Sequence, residues 1–374
     1  MSDPIRLFVP GRLCLLGEHS DWAAAYRRSH AEISPGGCLV VGTDQGIEGE
    51  AQPAPGVLEI ASRLPHGEEI GPARMRAEPE ALDQAARGAD FFSYVAGVAA
   101  EAHCRYGVGG LRLEMRSGLP VRKGLSSSAA ACVFAARAFS RAYGLGLSVE
   151  QEMDLAYHGE RRTGSACGRM DQVCAYGRRV SQLRFDGDAL AVDVVEPGGL
   201  FHLLIVDLRR GKDTRRILAD LNACFPATPG ALAARVRQAL GEANLALLGR
   251  ARAALEAGDA PALGAVLGEA QAVFDAQIAP ASEELRAPRL HEILAHPAVA
   301  ELGHGAKGVG SQGDGCAQIV TRSADARREL AARLEREEAV HCLPLTIAPR
   351  AAEGLDASAQ PGPAGADCSC ISSR

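Results

Sequence analysis

Gly124-Leu125-Ser126-Ser127-Ser128-Ala129-Ala130-Ala131 is the stretch on which the reading of this chain turns. It follows a strand-like segment, Gly110 to Arg116, that alternates Leu111, Leu113 and Met115 on one side. It opens a long small-residue helix, predicted from Ser126 to about Tyr143. A glycine turn lets backbone approach an anion closely, and a helix start offers unpaired N–H groups and the positive end of its dipole. The serines add hydroxyls for phosphate oxygens or a magnesium ion, and the alanines keep the first turns thin. Arg122 and Lys123, just ahead of the glycine, supply local positive charge. An N-cap needs one serine, and three behind a glycine and a lysine exceed that need. The Gly-x4-Gly-Lys-Ser/Thr order is missing, so this is not a Walker A loop.

Upstream, Ile5 to Gly17 reads as strand, tight turn at Pro10-Gly11, strand. Cys38 to Thr43 and Ile47 to Glu50 read as two more strands, and Asp90 to Tyr106 as a helix. Downstream, a helix is expected from Val149 to Arg161, then strands at Val180 to Phe185, Leu190 to Val195 and Leu203 to Leu208. Asp213 to Ala300 is almost wholly helical in pattern, with breaks at Pro226, Pro229, Gly258 and Pro280. A glycine cluster (Gly303 to Gly315), a strand (Cys316 to Val320), a helix (Ala324 to Glu337) and a last strand (Val340 to Leu345) follow. Beyond Pro349 the composition of Ala, Gly, Pro, Ser and Asp predicts a disordered tail. The plan is a mixed α+β lobe over 1–200, a second lobe over 201–348 and a tail over 349–374.

The 374 residues suffice for two packed lobes, and 47% hydrophobic with 23% charged residues is ordinary for a globular chain. A net charge of -6 gives no global attraction for nucleic acid or anionic membrane. No apolar run is long enough to span a bilayer and no signal peptide is visible, so the expectation is a cytoplasmic protein, monomer or homodimer. The 11 cysteines are odd in number and mostly single within apolar stretches, as at Cys14, Cys132 and Cys316. They read as small core residues rather than a disulfide framework. Cys368 and Cys370 form a CxC without a second pair or a histidine nearby, which is a weak metal signal.

Three ordered segments carry a family resemblance. Pro120 to Ala130 resembles the phosphate loop of the GHMP kinases (galactokinase, homoserine kinase, mevalonate kinase, phosphomevalonate kinase). Pro10-Gly11-Arg12-Leu13-Cys14-Leu15-Leu16-Gly17-Glu18-His19-Ser20-Asp21-Trp22 resembles the galactokinase signature. Gly305 to Cys316 stands where the family has its third, glycine-rich motif. The resemblance spans roughly residues 5 to 348. It implies an α+β, two-lobed fold, with an N-terminal lobe like ribosomal protein S5 domain 2 and a ferredoxin-like C-terminal lobe. It also implies ATP and magnesium as cofactors, a small-molecule acceptor, and transfer of a phosphoryl group to a hydroxyl, the anomeric one of a sugar if the galactokinase branch is followed.

By the same resemblance Asp171, in Cys167-Gly168-Arg169-Met170-Asp171-Gln172, is the catalytic base candidate, with Arg12 beside it and beside the transferring phosphate. Lys123, Gly124, Leu125, Ser126, Ser127, Ser128 and Ala129 are the ATP-binding candidates. Glu160 would hold magnesium with Ser127 or Ser128, of which Ser128 is taken as the ligand; an exposed helical glutamate is the competing reading. Glu18, His19 and Asp21 are the substrate candidates, since carboxylates accept from sugar hydroxyls; His19 can equally be a structural hydrogen-bonder. Mevalonate kinases usually lack the acid at the Asp21 position, which favours a sugar over mevalonate. Gly211-Lys212-Asp213-Thr214 is either a substrate loop or a helix start capped by Asp213. The third motif departs from the family in Ser311-Gln312-Gly313-Asp314, where an acid is unexpected near phosphates. A regulator that binds sugar and nucleotide without turnover is the alternative outside enzymology.

Overall fold

A computed structural model describes residues 3–64, 67–88, 90–119, 124–165 and 167–350. Arg122, Lys123, the tail from 351 onward and its Cys368 and Cys370 lie outside the described residues.

Among the described residues seven strands form the first sheet: β1 (Ile5–Leu16), β2 (Gly36–Ala54), β3 (Val57–Arg63), β4 (Glu69–Arg76), β5 (Gly110–Ser117), β6 (Val180–Asp186) and β7 (Ala189–Val195). Their order is β4-β3-β5-β2-β6-β7, with β1 paired to β2. The long β2 is the spine: its second half lies between β1 and β5, its first half between β1 and β6. Helices α1 (Ser20–Ala25), α2 (Pro79–Ala86), α3 (Phe92–Tyr106), α4 (Ser127–Ala142) and α5 (Val149–Arg162) accompany this sheet. The second sheet is antiparallel, β11-β8-β10-β9, from β8 (Phe201–Asp207), β9 (Gly303–Gly308), β10 (Cys316–Thr321) and β11 (His341–Ile347). By chain position that is the order 4-1-3-2 of a ferredoxin-like βαββαβ unit. Between β8 and β9 run α6 (Thr214–Asn222), α7 (Ala231–Gln238), α8 (Asn244–Ala257), α9 (Ala260–Val273), α10 (Pro288–Leu294) and α11 (Pro297–Leu302); α12 (Ala324–Glu338) joins β10 to β11.

The cores follow from side-chain period. On β8, Phe201, Leu203 and Ile205 face the large core shared with the first sheet, while Leu204 and Val206 face the core under α10, α11 and α12. Helix α4 is buried over Ala129 to Ala136, and its alanines let the sheet and α5 come close. The expected core cysteines Cys14, Cys132 and Cys316 are 0%, 0% and 1% exposed.

The α+β class and most elements match expectation, with four differences. Pro10-Gly11 is not a turn: β1 runs straight through, with a register shift between Pro10 and Arg12. Pro10 is tolerated because β1 has a strand partner on one side only. Cys38–Thr43 and Ile47–Glu50 are halves of the single β2. The first part of the glycine cluster is the strand β9, pairing with β10. Strands β3 and β4 and helix α2 were not foreseen; β4 is a charged edge strand interrupted by Gly71-Pro72, which hides its period.

Candidate active site

The phosphate loop is anchored from β1. Gly124 has φ +78 and Ser126 φ +55, both left-handed, and α4 starts at Ser127. Leu125 is 1% exposed, so its side chain serves as a core anchor and leaves only its backbone as a possible ligand contact. The same holds for Ala129 at 0%. Arg12 N–H donates to Leu125 O at 3.1 Å, and Arg12 Nη1 donates to Gly124 O at 3.2 Å. Gly11 is required for this approach, because a Cβ there would lie 2.8 Å from Leu125 O and 2.9 Å from Thr43 Oγ1. Ser126 makes no side-chain cap bond, which leaves the first-turn N–H groups of α4 available to an anion.

Arg12 also reaches Asp171. Its Nε donates to Asp171 Oδ1 at 3.0 Å and its Nη2 to the same oxygen. The Arg12 side chain is 7% exposed and the Asp171 side chain 26%. Burial works against the Arg12 charge, and Asp171 more than restores it, so its pKa lies above the ordinary value. Asp171 begins a short 3-10 segment, Asp171–Tyr176, that is fixed from behind. Arg137 of α4 donates through Nη2 to Ala175 O at 2.7 Å and pairs with Glu152 of α5.

Glu160 is 2% exposed on α5 and accepts from the Ser128 hydroxyl and from Gln172 Nε2, the latter at 2.8 Å. The exposed-helix reading of Glu160 is therefore overturned. Burial, then the Asp171 charge, raises its carboxyl to about 7. This buried carboxylate is bounded by two neutral donors and a second acid, and the Arg12 charge that reaches it is committed to Asp171, which fits a cation at Ser128 and Glu160. Among the described residues no group of three or more His, Cys, Asp or Glu is arranged to hold a metal. Magnesium suits the smaller donor set, since it keeps several waters and takes phosphate oxygens as its other ligands.

The three substrate candidates meet different fates. Asp21 stands beside Asp171: burial first, then Asp171, raises its carboxyl to about 6. Its Oδ2 lies against Gly168, where any Cβ would overlap it. Gly168→Ala should therefore raise the acceptor KM by about tenfold or more while leaving ADP affinity unchanged; titrations of both ligands check this. Glu18 is 8% exposed and ion-paired with Lys307, itself 1% exposed and donating to Gly308 O at 2.9 Å. His19 has φ +71 and both ring nitrogens engaged. Its Nδ1 accepts from Trp22 Nε1 at 3.1 Å, which leaves Nε2–H to donate to Ser311 O at 3.4 Å. Burial lowers its pKa to about 4, so the ring is neutral at pH 7. The geometry thus puts Asp21 beside Asp171, Glu18 in a salt bridge, and His19 in a structural hydrogen-bond chain.

Asp314, the unexpected acid of the third motif, accepts from Leu290 N–H at 2.9 Å and so caps α10. Asp213 caps α6, accepting from Arg216 N–H at 3.0 Å. Sequence reasoning quoted Gly168, Gln172, Lys307 and Lys212 within motifs without giving them roles, because their partners lie between 12 and 289 positions away.

Residues 93–178 match the sequence family described as GHMP kinases N terminal domain. No curated protein matches the chain by sequence. Solved structures share its fold. L. major mevalonate kinase, solved with R-mevalonate, is 19% identical with a TM-score of 0.67, covering 94% of this chain and 99% of that one. Lactococcus lactis galactokinase, solved with galactose, is 17% identical with a TM-score of 0.69, covering 93% and 94%. Homoserine kinase from Cytophaga hutchinsonii is 16% identical with a TM-score of 0.59, covering 93% and 96%. Residues 93–178 thus resemble the N-terminal domain of the GHMP kinases, whose members are ATP-dependent phosphotransferases, and the chain shares the fold of these solved kinases over most of its length.

Proposed function

We propose that this protein transfers the γ-phosphoryl group of ATP to a hydroxyl of a small neutral polyol, a sugar acted on at its anomeric hydroxyl. The observation that carries the reading is that one buried cation, Arg12, holds both the Asp171 carboxylate and the Gly124 carbonyl of the phosphate loop. Base and phosphate site are thereby fixed relative to each other before any ligand arrives, as in-line transfer requires. Asp171 accepts the proton of the attacking hydroxyl, and Arg12 orients the Asp171 carboxylate and faces the negative charge that grows on the phosphoryl oxygens. The α4 N-terminus and the serines bind the remaining phosphates. Magnesium, held by Ser128 and Glu160, would supply charge neutralisation on those phosphates.

Neutrality of the acceptor follows from charge. The described cation whose field reaches Asp21 is Arg12, already committed to Asp171, and Lys307 is committed to Glu18. An acceptor with a net negative charge such as mevalonate would meet Asp21 and Asp171 without a described counter-ion. A polyol instead donates its hydroxyls to them.

The test is ADP release with ATP and magnesium over neutral aldoses, uronic acids, mevalonate and homoserine, with phosphorus NMR of any product. A neutral sugar phosphorylated at its anomeric position is the expected result; turnover of mevalonate or a uronic acid alone would overturn the acceptor assignment. Nucleotide binding without turnover on any acceptor would favour the regulator.

Asp21 also sets a pH dependence. Its folded pKa is raised from 3.8 to about 6, so it is protonated in mildly acid solution and ionised at neutral pH. Acceptor KM should fall as pH rises from about 5 to about 7, and Asp21→Asn should remove this slope while raising KM at pH 7. A slope that survives the substitution would assign the titration elsewhere.

A further inference from the structure

The loop from Val309 to Gly315 is built around a side chain from another part of the chain. Lys212, in the turn before α6, donates to Val309 O at 3.3 Å and to Gln312 O at 2.6 Å. Its stem occupies the space that glycines leave. A Cβ on Gly313 would stand 3.4 Å from Lys212 Cβ, and one on Gly315 would stand 3.0 Å from Lys212 Cε and Nζ. Gly310, Gln312 and Gly313 are all left-handed, at φ +65, +63 and +71. For Gln312, which has a side chain, that conformation is strained, so the loop needs something to hold it. Two charge-assisted hydrogen bonds to its carbonyls do so.

The other side of the loop rests on the phosphate loop. A Cβ on Gly310 would lie 3.5 Å from Gly124 Cα, and one on Gly124 would lie 3.6 Å from Val309 Cγ1. Thr214, two residues after Lys212, places its Oγ1 3.3 Å from Ser311 Oγ, and Ser311 O is the group that His19 approaches. The turn before α6 therefore grips the loop from one side, while the phosphate loop and the His19 segment lie on the other. The charge of Lys212 is felt at His19.

We propose that Lys212 is a positioning residue for the nucleotide: its ammonium draws two carbonyls of the 309–315 loop together, holds that loop against Gly124, and sets a positive charge behind the two glycine loops. The proposal rests on the phosphoryl-transfer reading and extends it to a residue outside the three motifs. It accounts for the close fit of Lys212 against Gly315, and it resolves the Gly211-Lys212-Asp213-Thr214 stretch as a clamp on the loop as well as a helix start.

The test is titration of a fluorescent ADP analogue into wild type, Lys212→Met, Lys212→Gln and Lys212→Arg at low and high salt, with KM measured for ATP and for the acceptor. Lys212→Met should weaken ADP binding about tenfold at low salt and less at high salt, where charge is screened. KM for ATP should rise with it while the acceptor KM stays within about twofold. Lys212→Arg should restore most of the affinity. Lys212→Gln keeps N–H donors without the charge and should fall between Met and Arg, which keeps the idea open to refutation if Met fails to fold. ADP affinity unchanged in Met and Gln would overturn the proposal. So would equal rises in both KM values with no rescue by Arg, the mark of a merely structural lysine. Wild type that does not bind ADP would overturn the phosphoryl-transfer reading itself, and this inference with it.

Discussion

Asp171→Asn is expected to lower kcat by about 10²–10⁴-fold, the usual range for removing a general base, with ADP affinity within about twofold of wild type. The asparagine is isosteric, so the 3-10 segment that Arg137 fixes through Ala175 should keep its place. What disappears is the proton acceptor beside Arg12. A second consequence separates this from a loss of packing. The Asp171 charge helps raise both Glu160 and Asp21, so removing it should move both of those titrations to lower pH. The acceptor-KM transition that belongs to Asp21 should then begin below its wild-type midpoint of about 6. Turnover within threefold of wild type, or an unmoved transition, would remove Asp171 from the centre of the reaction.

Glu160→Gln should have two effects of opposite sense. Ionised Glu160 is buried beside Asp171, Arg12 offsets only part of that cost, and its folded pKa of about 7 lies above the ordinary 4.5. The folded state therefore binds a proton more tightly than the unfolded chain between those values. That stabilisation is complete below about pH 4.5 and is lost as pH rises through about 7. At pH 8 the ionised side chain costs the metal-free fold about 3 kcal/mol, from roughly 2.5 pK units at 1.36 kcal/mol each. Glutamine still accepts from Gln172 and Ser128 without the charge, so thermal unfolding of the metal-free variant should rise by roughly 4 °C at pH 8 and hardly change at pH 5. Activity should move the other way, with the magnesium requirement weakened and kcat reduced. If the variant is less stable than wild type at pH 8, Glu160 is paired by a cation of the protein, and the magnesium assignment falls with it. Calorimetry at the two pH values, without and with magnesium, reads both effects.

The contrast between these two carboxylates shows what kind of information a chain carries in linear order. The turn into α4 was legible because its parts are adjacent: glycine, serines and the alanine-rich start of α4 act through local backbone geometry, and local geometry is written in neighbouring residues. The strands β5 and β6 were legible for the same reason, since a half-buried strand alternates within seven or eight positions, and β10 was legible as a short continuous apolar run. Arg12, Asp171 and Glu160 were named by resemblance to a family, and their meeting in one cluster is a product of the fold. Nothing in the composition of the segments around residues 12, 160 and 171 makes them meet.

Several features of the fold rest on contacts that linear order does not display. Pro10-Gly11 has the composition of a turn, but a proline with no second strand neighbour and a glycine pressed on Leu125 O suit a straight bulged strand better. Glu18 and His19 have the composition of sugar-binding groups, and whether their polar atoms are free depends on Lys307, Trp22 and Ser311. Asp314 looked misplaced beside phosphates until the N–H of Leu290 accounted for it.

The sequence by itself determined the α+β class and the glycine-serine turn into α4, because these depend on residue type and short-range period, while the candidate catalytic groups came from resemblance to a family. Only the tertiary structure decided which acid remains available to a substrate, which lysines are already engaged and how the two glycine loops are held together. Those outcomes depend on which charges the fold buries side by side, and a buried charge takes its pKa and its partners from neighbours that may stand hundreds of positions away along the chain.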